Sequence, residues 1–227
     1  NGRIAGFEAL IRWHHPTDGV MQPKDFLWIA EQTGFIREIG QWTLERASRD
    51  WPALKKLTGH AKPFVSVNLS AAQLSDERLV EDVKAIFASQ NIKPTELKLE
   101  LTETAMIEHP EIALKIMNRL KESGCCIALD DYGSGHSALG RLQRYPICTL
   151  KIDSALVKPI AKTVQNQEIV RSTVALAHSL NMNVVAEGVE SEELRTMLLG
   201  MKCEFGQGWL FGGPATLQEL LKNGAKT

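Results

Sequence analysis

Leu97-Lys-Leu-Glu-Leu-Thr-Glu103 and Cys125-Cys-Ile-Ala-Leu-Asp-Asp-Tyr132 decide how this chain folds. Each is a short, apolar, β-compatible run that ends in acid. The segment between them carries Ile112, Ile116, Met117 and Leu120 as an inward helical face, stops at Gly124, and is long enough for a βαβ crossover. Parallel strands of one sheet point the same way, so Glu100, Glu103, Asp130 and Asp131 emerge at a single C-terminal edge. Carboxylates crowded there repel one another until a cation, protons or basic side chains compensate them. Hard divalent cations such as Mg²⁺ favour oxygen donors of this kind.

Working outward, other strand-like runs deliver polar groups to the same edge. Phe7-Glu-Ala-Leu-Ile-Arg-Trp13 places Glu8, Leu10 and Arg12 on one face by alternation, and an inward Glu in a barrel lumen needs a reason. Phe64-Val-Ser-Val-Asn68 ends in an amide, Thr149-Leu-Lys-Ile-Asp153 sets Lys151 and Asp153 on one face, Asn183-Val-Val-Ala-Glu187 ends in acid, and Cys203-Glu-Phe-Gly-Gln207 opens into a Gly-rich loop. Helices are expected between them: Pro23 to Gly34, Ile36 to Leu57 with Ile39, Trp42, Ala47 and Trp51 inward, Glu77 to Gln90, Glu168 to Leu180, and a short C-terminal helix near Leu217. Strands alternating with helices, with polar groups in register at one rim, describe a (β/α)₈-type barrel active site.

Composition narrows the function classes. With 26 basic and 27 acidic residues and a formal net charge of −1, no long-range field points to bulk nucleic acid, though a small nucleotide remains open. No apolar run reaches the length of a membrane span, and no secretory leader opens the sequence. The four cysteines, Cys125, Cys126, Cys148 and Cys203, lack metal-ligand spacing and read as buried free thiols, and His14 and His15 read as exposed loop residues. Asn68 and Ser70 would serve equally as helix caps, and the two glycines after Asp131 are by themselves a weak phosphate signal.

Taken together, Glu8-Ala-Leu10, Asn68-Leu-Ser70, Glu100-Leu-Thr-Glu103, Asp130-Asp-Tyr-Gly-Ser-Gly135, Leu150-Lys-Ile-Asp153, Ala186-Glu-Gly-Val-Glu190 and Gln207-Gly208 resemble the EAL-domain family of cyclic di-GMP phosphodiesterases, in order and over essentially the whole chain. The resemblance implies an α/β fold, a modified TIM (β/α)₈ barrel with one antiparallel strand. The family's first strand and its Tyr-Gln-Pro motif are missing from this chain. It implies that residues 1–227 are a single EAL domain excised from a longer multidomain protein. It implies hydrolysis of cyclic di-GMP to linear 5′-pGpG at a two-metal Mg²⁺ or Mn²⁺ site, where the cations acidify a shared water and offset charge on the phosphodiester. The alternative is a catalytically silent or partner-gated cyclic di-GMP receptor.

Carried over residue by residue, Glu8, Asn68, Glu100 and Asp130 match ligands of one cation. Asp131 with Asp130 bridging matches the second cation site, supported by Glu187 and Gln207. Lys151 matches the residue that orients the attacking water, Glu103 the residue that fixes the Gly-rich loop, and Glu190 a supporting position. Leu10, Arg12, Asp153 and Gln207 are the expected substrate contacts, with Glu8, Lys151, Glu187 and Glu103 the catalytic set. A homodimer, attached sensor or GGDEF domains, and a cytoplasmic domain in a protein that could be membrane-anchored complete the expectation. Tyr132, Ser134, His136 and Ala138 depart from the family's loop, and Ser154, Ala155 and Leu156 depart after Asp153. None of these removes an expected metal ligand.

Overall fold

The computed structural model describes residues 2–90, 92–133 and 139–224. The expected substitutions at Ser134, His136 and Ala138, with Gly135, lie outside the described residues. The chain opens with β1 (Gly6–Ala9), an antiparallel ribbon of β2 (Trp13–His15) and β3 (Gly19–Met21), and helices α1 (Pro23–Thr33) and α2 (Ile36–Lys55). It then runs through β4 (Phe64–Asn68), α3 (Ala71–Leu74), α4 (Leu79–Gln90), β5 (Leu97–Thr102), α5 (Glu103–Glu108), α6 (Pro110–Glu122) and β6 (Cys126–Tyr132). The last third holds α7 (Leu139–Arg144), β7 (Thr149–Ile152), α8 (Ser154–Val157), α9 (Val164–Ser179), β8 (Asn183–Ala186), α10 (Glu192–Gly200), β9 (Phe205–Gly206) and α11 (Leu217–Asn223).

Seven strands pair in the order β1-β4-β5-β6-β7-β8-β9, and every neighbouring pair is parallel. The antiparallel strand implied by the family resemblance is not among the described residues of this sheet. The sheet curls into a half-barrel. Its two faces follow from the period-2 alternation of the strands. Val65, Val67, Leu97, Leu99, Leu101, Ile127, Leu129, Leu150, Ile152, Val184 and Ala186 are buried beneath the helices, joined by Leu44, Trp51, Ile116, Leu120 and Val174 from the helical layer. The register puts Glu8, Ser66, Lys98, Glu100, Ala128, Thr149, Lys151 and Val185 on the opposite, lumenal face. Local caps agree with this frame: Ser70, Thr102, Asp153, Thr163 and Ser191 each accept from a backbone N–H at the start of their helix.

Four expectations are corrected. The first strand stops at Ala9 and does not continue to Trp13, because residues 13–15 turn away to pair with β3. Trp42 and Ile112, read as inward, are 53% and 42% exposed, since the buried stripe of α2 runs through Leu44, Ala47 and Trp51 and that of α6 through Ala113, Ile116 and Met117. Cys126 and Cys148 are not free thiols: neighbouring strands bring their Cα atoms to 5.7 Å and a disulfide joins them. Asp153 does not extend β7; it caps α8, its carboxylate accepting from the Ala155 N–H at 2.7 Å. Cys125 and Cys203 are buried and free as expected, and burial pushes each thiol up to about 12.

Candidate active site

At the C-terminal rim the strands present their last lumenal side chains to one ammonium group. Lys151 Nζ on β7 stands 2.7 Å from Glu100 on β5, 2.8 Å from Glu187 after β8, 3.0 Å from Asp130 on β6 and 3.5 Å from Glu8 on β1. Its side chain is 2% exposed. One buried cation inside a ring of carboxylates is the compensation that their crowding requires. Burial disfavours its charge, but Glu100, Glu8, Glu187 and Asp130 outweigh that and hold the Lys151 ammonium well above the usual lysine range.

The seam of the curled sheet closes through Glu8. Gln207 Nε2, just past β9, donates to Glu8 Oε2 at 2.6 Å, and Asn68 Nδ2, at the end of β4, donates to Oε1 at 2.7 Å. Burial pushes the Glu8 carboxyl up, but Lys151 and these donors pull harder, so its net displacement is downward. Glu100 and Glu187 go the other way. Burial, with the neighbouring carboxylates helping, pushes each up to about 7 against the pull of Lys151.

Asp130, Asp131 and Glu187 bring carboxylate oxygens within 4.8 Å of one another. Asp131 holds a left-handed backbone, φ 56°, where the β6–β7 register shifts, and its N–H is accepted by Asp130 Oδ1 at 3.0 Å. That kink turns two consecutive residues of one strand, which would otherwise face opposite ways, toward the same rim. Burial and then Asp130 raise the Asp131 carboxyl above its usual range. Clustered hard oxygen donors suit a Mg²⁺- or Mn²⁺-type cation.

Glu103 begins α5 directly after the β5 rim and lies close enough to Tyr132 to raise its phenol, after burial. Leu10 is 41% exposed between β1 and the ribbon, and Arg12 Nη1 donates to the Ile11 carbonyl at 2.7 Å. Glu190 pairs with Lys158 at 2.8 Å and does not join the ring around Lys151. Sequence reasoning missed Lys98. It lies two residues below Glu100 on the same face, 7% exposed, with Nζ 3.1 Å from Thr149 Oγ1 and 3.7 Å from the Phe64 ring centroid. Burial, opposed by Glu100 and reinforced by Lys151, drops this amine to about 8. The alternation Lys98–Glu100 was the available signal.

Residues 1–214 match the family model described as EAL domain. This chain belongs to the EAL-domain family. The EAL domain is 39% identical over 221 residues to the bifunctional diguanylate cyclase/cyclic di-GMP phosphodiesterase MucR of Pseudomonas aeruginosa, covering 97% of this chain and 32% of that protein. It is 35% identical over 213 residues to the cyclic di-GMP phosphodiesterase PdeR of Escherichia coli, covering 94% of this chain and 34% of the relative. The chain therefore spans about a third of the length of the curated relatives it matches. Among solved structures, a MucR phosphodiesterase in complex with c-di-GMP superimposes with a TM-score of 0.85 at 38% identity, covering 94% of this EAL domain and 86% of that chain.

Proposed function

We propose that this chain hydrolyses cyclic di-GMP to linear 5′-pGpG, with Mg²⁺ or Mn²⁺ held in a two-metal site. The observation that carries this reading is the convergence of Glu8, Glu100, Asp130 and Glu187 on the buried Lys151 ammonium, in a domain whose relatives are named cyclic di-GMP phosphodiesterases. Glu8, Asn68, Glu100, Asp130, Asp131 and Glu187 are the residues that would hold the cations. When bound, these supply positive charge at the phosphodiester and acidify the attacking water.

The chain's own residues do the positioning. Gln207 and Asn68 fix both oxygens of Glu8, so this carboxylate is oriented before any ligand arrives. Lys151, kept protonated by its neighbours, has its Nζ within 3.0 Å of Glu100, Glu187 and Asp130; with cations on those carboxylates it would turn its donors to the water and to the phosphoryl oxygen where charge develops. Glu103 would contribute from the start of α5, and Leu10, Arg12, Asp153 and Gln207 would be the contacts to the dinucleotide. Because the domain's net charge is only −1, affinity for a dianionic ligand would come from this local arrangement and not from a general field.

Residues 1–227 would be one EAL domain of a longer protein that also carries sensor or GGDEF domains, a reading supported by the bifunctional MucR relative. It would act as a homodimer and face the cytoplasm; no described helix is long and apolar enough to cross a membrane.

The test is incubation with cyclic di-GMP and Mg²⁺, following pGpG by chromatography beside an EDTA control and a Glu8→Ala variant. EDTA-sensitive product that disappears in the variant is expected. Ligand binding with no product under either Mg²⁺ or Mn²⁺ would make the chain a silent receptor, and neither binding nor product would remove cyclic di-GMP altogether.

A further inference from the structure

The ladder of the strand pair that delivers Asp130, Asp131 and Lys151 is interrupted by a register shift at the rim. Below the kink, β6 and β7 are in register only at Ala128/Thr149 and Leu129/Leu150, and pairing resumes at Tyr132/Ile152 after the shift. Beneath those pairs sits the Cys126–Cys148 disulfide, whose sequence separation of 22 closes a loop containing Asp130, Asp131 and α7. Both sulfur atoms lie 3.6 Å from Thr149 Oγ1, the same oxygen that receives the Lys98 ammonium at 3.1 Å, one layer under Glu100. The two cysteines are half-buried, whereas Cys125 and Cys203 are fully buried with thiols pushed up to about 12. Cys126 and Cys148 are thus the less enclosed pair, and burial suppresses thiolate formation at Cys125 and Cys203.

We propose that Cys126 and Cys148 are a reversible thiol–disulfide modification site, and that closing the bond fixes the β6–β7 pair and so tightens divalent-cation binding at Asp130 and Asp131. This rests on the reading of those carboxylates as cation ligands. The reagent is a low-molecular-weight disulfide of the glutathione class. One cysteine thiolate attacks its S–S bond and expels a thiolate, leaving a mixed disulfide. The second cysteine thiolate then attacks the protein-side sulfur and expels the other half. Each cysteine thiol gives up its proton on becoming a thiolate. One S–S bond breaks for the one formed in the protein, and the two electrons lost by the cysteines reduce the reagent to two thiols.

The experiment equilibrates the purified chain in glutathione buffers from fully reduced to fully oxidised, blocks free thiols with iodoacetamide, and maps the peptides by mass. Cys126 and Cys148 should pass together from alkylated to linked, while Cys125 and Cys203 resist alkylation until the protein is denatured. Calorimetry with Mn²⁺ alone should then show affinity on the order of ten-fold tighter in the oxidised protein, the range of a lost supporting contact at a metal site. Cys126→Ser and Cys148→Ser should show the weaker affinity in both buffers. A pair that stays linked, or stays free, across the whole range overturns the proposal. So does interconversion with the same Mn²⁺ affinity in both states. Neither readout uses cyclic di-GMP, so a redox-dependent Mn²⁺ affinity in a chain that forms no pGpG separates failure of the functional reading from failure of this one.

Discussion

At the scale of single residues, the site is a balance between one ammonium and the carboxylates around it. Replacing Lys151 by Met leaves Glu100, Glu187, Asp130 and Glu8 facing one another in a buried space. Breaking such a partnership costs about 3–5 kcal/mol. The loss should be full at pH 8 and smaller at pH 5, because Glu100 and Glu187, already pushed up to about 7, escape by taking protons. Urea denaturation of the metal-free protein at both pH values measures it; an equal loss at both would mean the carboxylates do not feel the ammonium.

Lys98 makes the opposite case. Its folded-state amine sits at about 8 against 10.5 for the free side chain, so between those values the unfolded chain binds more protons and stability rises with pH. Below about pH 8 the buried charge is fully penalised, by about 3 kcal/mol from the linkage arithmetic. Lys98→Met should be more stable than the parent at pH 7.5, with the advantage shrinking by pH 9.5. The groups facing this amine are Glu100, Lys151, Thr149 and the rings of Phe64 and Phe205. The acids at strand ends were legible in the sequence because an acid closing an apolar run has few structural uses. Lys98 was not, because a lysine alternating with leucines reads the same on a solvent-facing strand.

At the scale of elements, what matters is how each strand end is aimed. β9 is only Phe205–Gly206, and its continuation is held by Val189 N–H to the Gln207 carbonyl at 2.9 Å and Leu210 N–H to the Val189 carbonyl at 3.1 Å. Gly208, φ 153°, lies so close to the backbone of Val189 that a methyl group there would collide with it. Gly208→Ala should cost about 2 kcal/mol as overpacking. It should also weaken Mn²⁺ binding by shifting Gln207 away from Glu8; unchanged Mn²⁺ affinity would show that Glu8 is oriented by Asn68 alone. The helices were legible from their apolar periodicity, apart from which turn of α2 and α6 faces inward. The end of β1 was not, since Leu10–Arg12 continue the alternation while the ribbon pulls the chain away from the sheet. The kink at Asp131 and the pairing of Cys126 with Cys148 depend on the register of two strands, which alternation within one strand does not contain.

At the scale of the whole molecule, the proposed cation site would make cation binding and folding one equilibrium, because the candidate ligand carboxylates come from strands across the sheet. A cation that binds only the folded chain stabilises it by about 2.7 kcal/mol at a hundred times its dissociation constant. Thermal denaturation with and without Mg²⁺ should show this increment in the parent and lose most of it in Asp130→Asn. An increment that survives the substitution would place the cation elsewhere. The barrel class itself was legible from strands and helices in alternation, with the polar strand ends in register.

Glu8 and Gln207 are 199 residues apart in sequence and meet side chain to side chain where the first and last strands of the sheet face each other. A ribosome therefore completes this rim last. Until Gln207 has emerged, Glu8 lacks its shortest hydrogen bond, and a nascent or prematurely terminated chain carries the acidic strand ends without the closed ring that tames them. The seam thus ties the ordering of Glu8 to the synthesis of β9 and of Gln207, 199 residues downstream.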